Sequence, residues 1–122
     1  MIGYVTLGSN DLAAAGSFYD QLLGELGASR FMSNERMIVW GVKPDQPMLA
    51  ACTPWDERPA TVGNGAMVAL LAGSRENVDR LHARALELGA TSEGAPGERM
   101  QGFYGGYFRD PDGNKLVFFT MG

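Results

Sequence analysis

The chain has 122 residues, 45% of them hydrophobic and 20% charged, which suits one ordinary globular domain, or two half-domains sharing a core, and excludes the sparse apolar content of disorder. A net charge of -4 with no Lys/Arg cluster removes the electrostatic footprint that nucleic acid or anionic lipid would need, leaving a small molecule or a second copy of the chain as the expected partner. Cys52 is the only cysteine, so no intrachain disulfide can form, and a reducing cytoplasm is the expected setting.

The opening Met1-Ile2-Gly3-Tyr4-Val5-Thr6-Leu7 has no basic segment and meets Asn10-Asp11 early, so it reads as a strand rather than a targeting or membrane segment. Gly8-Ser9-Asn10-Asp11 then breaks the run and offers helix N-caps. Leu12, Ala15, Phe18, Tyr19, Leu22, Leu23 and Leu26 recur at three- and four-residue steps up to Gly27, predicting an amphipathic helix with one buried face. Three short strands follow, Ala28–Phe31, Arg36–Gly41 and Pro47–Thr53, parted by turn signals at Ser33-Asn34-Glu35 and Lys43-Pro44-Asp45.

Residues 54–64 hold prolines and glycines without a period and read as a linker. The pattern then begins again. Ala66–Ala72 is an apolar strand, Ser74 opens a helix whose stripe is Val78, Leu81, Ala85 and Leu88, and Gly89 ends it. Ala90-Thr91-Ser92 is a short extended piece and Gly94–Gly102 a glycine-rich loop. Phe103–Arg109 and Lys115–Thr120 are strands joined by Asp110-Pro111-Asp112-Gly113-Asn114.

The order β-α-β-β-β thus occurs twice, as modules 1–53 and 65–122 of a single α+β domain. The words Glu25-Leu26-Gly27-Ala28 and Glu87-Leu88-Gly89-Ala90 are the same helix end in both, with glycine in the left-handed position that releases the chain. Each module has a sheet with one face covered by its helix and the other left open. Period 2 puts Tyr4 and Thr6 opposite Val5 and Leu7, Met67, Ala69 and Leu71 opposite Val68 and Leu70, and Val117 and Phe119 opposite Leu116 and Phe118. Both sets are apolar, so periodicity does not say which meets the helix.

The duplicated plan, the opening "YVTLGSNDLAAAGSFYDQLLGELGA" and the closing "GFYGGYFRDPDGNKLVFF" resemble the vicinal oxygen chelate superfamily, that of glyoxalase I, bleomycin-resistance proteins and extradiol dioxygenases. The resemblance covers essentially the whole chain. It implies a curved mixed sheet around a cup between the modules, with metal ligands, where present, on cup-facing strand positions. Those positions fall here on Tyr4, on or next to Met67, and on Val117, where relatives have His, His and Glu. A phenol, a thioether and an isopropyl group do not make a site for a hard or borderline divalent ion, so no metal and no other cofactor is expected.

The remaining candidates read as structural. His82, the only histidine, has no second histidine to chelate with and reads as a surface or partly packed helical residue. Cys52 in "MLAACT" reads as a buried inert thiol, and Asp110 and Asp112 as turn formers rather than an acid–base pair. Arg109 is expected to pair with a carboxylate at its strand end, and the glycine pairs lack the form of a phosphate loop. The Gly94–Gly102 loop with Arg99 reads equally as the lip of the cup and as a plain connection.

The resemblance therefore implies a small-molecule binding protein of the glyoxalase/bleomycin-resistance type without metal. Its cup would be lined by Tyr4, Thr6, Met67, Ala69, Val117 and Phe119, with Arg99 at the lip and Trp40, Tyr104 and Tyr107 closing it. Two rivals stand beside this. One is a lyase, isomerase or dioxygenase-like enzyme acting on a small oxygenated substrate, and the other is an interaction module whose open face is an oligomer interface. Assembly as a homodimer is expected in either case, since each module leaves a sheet face to cover.

Overall fold

A computed structural model describes residues 1–122. The elements run β1 (Tyr4–Gly8), α1 (Leu12–Gly24), β2 (Ser29–Ser33), β3 (Met37–Gly41), β4 (Met48–Cys52), β5 (Val68–Leu71), α2 (Arg75–Glu87), β6 (Thr91–Met100), β7 (Phe103–Arg109) and β8 (Lys115–Met121). The chain divides into two compact units, Met1–Thr61 and Val62–Gly122. The first holds a four-stranded sheet in the order β1-β4-β3-β2, the second one in the order β5-β8-β7-β6. In each, the first strand lies parallel to the last and the other pairings are antiparallel. This is the expected α+β duplication, with the same topology in both copies.

The helices begin and end for the reasons the sequence suggests. The Asp11 carboxylate accepts from the Ala14 amide at 3.0 Å, and the Ser74 hydroxyl accepts from the Asn77 amide at 3.1 Å, each satisfying a donor that the first turn would leave open. At the other end Gly27 (φ 83) and Gly89 (φ 112) are both left-handed. The Ala28 amide bonds the Leu23 carbonyl at 3.1 Å, and the Ala90 amide bonds the Ala85 carbonyl at 3.0 Å. The repeated word is therefore one capping device used twice.

Packing settles the facing that periodicity leaves open. In the first unit Trp40, opposite Leu49 in the β3–β4 register, lies against Tyr19 of α1 with ring centroids 5.3 Å apart. The Leu49/Ala51 row, with Val5 and Leu7 beside it, therefore faces the helix, and Tyr4 and Thr6 point to the open side. In the second unit Gly106 abuts the His82 ring of α2 and pairs with Phe118, so Leu116, Phe118, Val68 and Leu70 face the helix. Ala69, Leu71, Tyr107, Val117 and Phe119 stand on the open side. Fully buried side chains such as Leu22, Trp40, Leu81, Phe108 and Phe118 make the two cores, each stabilising by about 1.5–3 kcal/mol on burial.

The structure corrects the glycine-rich loop. Residues 91–100 form one strand, β6, paired with β7. Its register slips between Ser92 and Gly94, between Gly94 and Gly97, and between Glu98 and Met100. A bulged edge strand tolerates Pro96 and its glycines and carries no period-2 signal, which is why its sequence looks like a loop. The linker is likewise less free than its composition suggests. Asn10 exchanges two hydrogen bonds with Ala60, at 3.1 and 2.7 Å, tying that end of the segment to the first unit.

Candidate functional site: the open sheet faces

On the open face of the second unit, Tyr107 is the centre of a polar cluster. The Arg99 guanidinium lies 5.3 Å from the ring centroid and the Lys115 ammonium 5.4 Å from it, both within cation–π range. Arg109, beside Lys115 in the β7–β8 register, donates to Glu93 at 2.9 Å and to the Gly113 carbonyl at 3.1 Å. The hydrogen bond from Arg109 holds the Glu93 carboxyl below its usual range, helped by the fields of Arg109 and Lys115. Next to the cations a cleft of about 390 Å³ is lined by Val62–Met67, Arg109 and Lys115. Further along, Phe103 stacks on Phe119 at 5.2 Å, over the space that Gly105 leaves beside Val117.

The open face of the first unit is different in kind. Tyr4 pairs with Met48 and Thr6 with Ala50, and Met32, Met37 and Val39 continue the surface. A cleft of about 500 Å³ there is lined by Ile2, Tyr4, these methionines, Val39, Pro44, Asp45 and Gln46. Thioethers and a phenol make a soft, adaptable wall, with Asp45 as its single charge.

Val117 stands on the open side but is 0% exposed, and seven others of the ten expected ligand-lining residues lie on an open face or, for Met67, at its margin: Tyr4 and Thr6 in the first unit, Met67, Ala69, Arg99, Tyr107 and Phe119 in the second. Trp40 and Tyr104 do not, and their expected place is corrected. Trp40 is 1% exposed, under α1, with its indole N–H donating to Asp20 at 2.8 Å. Tyr104 points to α2 and donates to Asp79 at 2.6 Å, and this bond raises its pKa above the ordinary phenol value. In both cases an even position in the strand puts the ring on the helix side. Lys115, Arg109 and the methionines of the first unit were not read as site residues. The parity that places Tyr107 and Val117 also places Lys115 and Arg109, and it is the signal that could have found them.

Other candidates resolve as structure. The Asp110 carboxylate accepts from the amides of Asp112 and Asn114 and from the Asn114 side chain, fixing the turn before β8. His82 is more buried than expected, 5% exposed, and its Nε2 lies 3.0 Å from the Tyr107 carbonyl. Cys52 is half-buried rather than buried.

The family model of the Glyoxalase/Bleomycin resistance protein/Dioxygenase superfamily matches residues 1–118. The chain belongs to this superfamily. Among solved structures, a glyoxalase/bleomycin resistance protein from Albidiferax ferrireducens T118 is 37% identical, with 98% of this chain and 97% of that one covered and a TM-score of 0.88. A lactoylglutathione lyase from Agrobacterium tumefaciens is 23% identical over 98% and 92% of the two chains, with a TM-score of 0.75, a likeness of fold alone. No curated protein matches the chain.

For a superfamily member, fitness for a divalent metal turns on the donors that its strands present. Tyr4 is 62% exposed, Met67 45% exposed, and Val117 fully buried among apolar neighbours. No three His, Cys, Asp or Glu side chains converge anywhere in the chain. A protonated phenol, a thioether and a hydrocarbon do not fit Zn, Ni, Mn or Fe(II), and no step of chemistry is derived through such an ion. No helix is long and apolar enough to cross a membrane.

Proposed function

We propose that this superfamily member binds a small organic molecule on the uncovered faces of its sheets, without a divalent metal held by its strands. One observation carries the reading. The faces away from the helices hold ligand-sized clefts, one of about 500 Å³ walled by Tyr4, Val39 and methionines with Asp45 as its charge, and one of about 390 Å³ between the Val62–Met67 segment and the cations Arg109 and Lys115, and apolar walls with a few placed charges are what small-molecule sites use. The catalytic alternative, a lyase or dioxygenase-like enzyme, needs a base or a Lewis acid at the substrate. The one histidine packs between α2 and β7 on the helix side and offers no base to a ligand on the open face.

The test is a thermal-shift screen of small organic molecules on protein purified without chelator, repeated in EDTA. Ligands should raise Tm equally in both conditions, because a molecule that binds only the native state stabilises it by mass action. Near-stoichiometric Zn, Ni or Fe in the purified protein, or stability lost in EDTA, would overturn the reading in favour of a metal-dependent enzyme.

A further inference from the structure

The geometry points to an anion subsite on the open face of the second unit. Arg99, beside Tyr107, would take the carboxylate of a flat organic ligand whose apolar body lies toward Phe119, with Lys115 adding its charge from β8. This rests on the small-molecule reading above and adds the ligand's charge and the place where that charge sits.

Charge is the first argument. The chain as a whole carries -4, yet Arg99 and Lys115 each lie by the Tyr107 ring, Arg109 is beside Lys115, and Glu93 is the carboxylate bonded to one of these cations. Glu98, next to Arg99 in sequence, turns to the helix side and meets Arg75 at 3.7 Å. Arg109 is engaged by Glu93 and the Gly113 carbonyl. Lys115 meets the Tyr107 ring and feels Glu93 only through its field. An anion is the chemistry that complements such a patch.

Preorganisation is the second argument. The Arg99 guanidinium folds back over its own strand, with Nη2 donating to the Ala95 carbonyl. Its Nη1 lies 2.8 Å from where a Cβ on Gly97 would stand, and Nη2 lies 3.2 Å from where one on Gly94 would. The glycines that make β6 look like a loop are therefore the space in which the guanidinium rests beside Tyr107. A planar fork held in this way is suited to a carboxylate, because less side-chain freedom is lost when the anion arrives. The cleft of about 390 Å³ opens at Lys115 and Arg109, away from the Arg99 side of the ring.

Titration of the full chain with benzoate and with benzamide, at equal ionic strength and neutral pH and followed by amide proton–nitrogen NMR, tests this. The two probes share a ring and differ in charge. Benzoate should saturably shift the amides of Gly94, Gly97, Gly105, Tyr107 and Lys115, and bind about tenfold more tightly than benzamide, the scale of one charged hydrogen bond. Arg99→Met and Lys115→Met should each weaken benzoate about fivefold or more, on the same scale, while far-UV circular dichroism and Tm stay near those of the parent. Equal binding of the two probes would overturn the anion subsite and leave the small-molecule reading standing. Benzoate shifts centred on Tyr4 and Met48, or shifts that grow linearly without saturating, would also overturn it. So would shifts in these amides that follow protein concentration instead of benzoate, since a second copy would then occupy the face. If neither probe binds, the subsite is overturned as well, and the screen in EDTA decides the broader reading separately.

Discussion

Asp20 shows how one exposed residue fixes a buried one. Its carboxylate takes both Nε and Nη2 of Arg30, at 2.8 and 2.9 Å, and the Trp40 indole N–H at 2.8 Å. The ion pair is about four-tenths exposed on each side and stabilises little by itself, but the indole N–H has no water to turn to. Asp20→Asn keeps an acceptor for it and should cost less than Asp20→Leu, which strands it at a cost of about 1–3 kcal/mol; urea denaturation followed by Trp fluorescence checks the order. The hydrogen bond from Arg30, with that from Trp40 and the Arg30 charge, lowers the Asp20 pKa from 3.8 against the opposing effect of burial. A depressed folded pKa stabilises above the unfolded value and ceases to do so as pH falls through the folded one. The parent should therefore lose stability relative to Asp20→Asn below about pH 4, and the two pH–Tm curves should run parallel above that.

At the scale of elements, the two copies of the module predict paired effects. Gly27 and Gly89 have left-handed backbones and nothing within 4 Å of a built Cβ, so Gly→Ala at either position strains the backbone without a clash. Each should cost about 1 kcal/mol, and a large difference between the two in denaturant melts would show that the helix ends are not equivalent. In β6 and β7 the same substitution separates two kinds of glycine. At Gly106 a Cβ meets the His82 ring and Pro96 at 3.0 Å, packed atoms that cannot swing away, so Gly106→Ala should destabilise by about 1–3 kcal/mol. At Gly97 it meets the far end of Arg99. Gly97→Ala should leave Tm almost unchanged while pushing the guanidinium off Tyr107, and weaker benzoate binding reads that displacement.

At the scale of the whole molecule, the edge strands set the expected assembly. Tyr4 is 62% and Leu71 71% exposed, and β1 and β5 are edge strands with one neighbour each. Apolar side chains along unpaired strand edges favour association between copies through those edges. We expect a homodimer by light scattering at concentrations of about tens of micromolar, well above a typical dimer dissociation constant; a monomer there would refute it. Placing a charge on an open sheet face should also be costly where neighbours close over it. Val117→Glu buries a carboxylate at a position now 0% exposed and should cost several kcal/mol or prevent folding, whereas Tyr4→His, at an exposed position, should be nearly neutral.

The sequence by itself determined the elements, their duplication, the caps at Ser74 and Gly89, and the turn built on Asp110, because each depends on residues a few positions apart. It also determined that Tyr4, Met67 and Val117 are poor metal donors, which is a property of the side chains wherever they stand. Only the tertiary structure decided which face of each strand meets a helix, because both faces are apolar and period 2 is symmetric between them. That choice put Trp40 and Tyr104 on the helix side and Lys115 and Arg109 on the open side. It also decided that residues 91–100 pair as a strand, since a bulged edge owes its pairing to the neighbour β7 rather than to any pattern of its own. The cluster at Tyr107 depends on both, gathering Arg99, Lys115 and Arg109 from three strands that only pairing in a sheet makes neighbours.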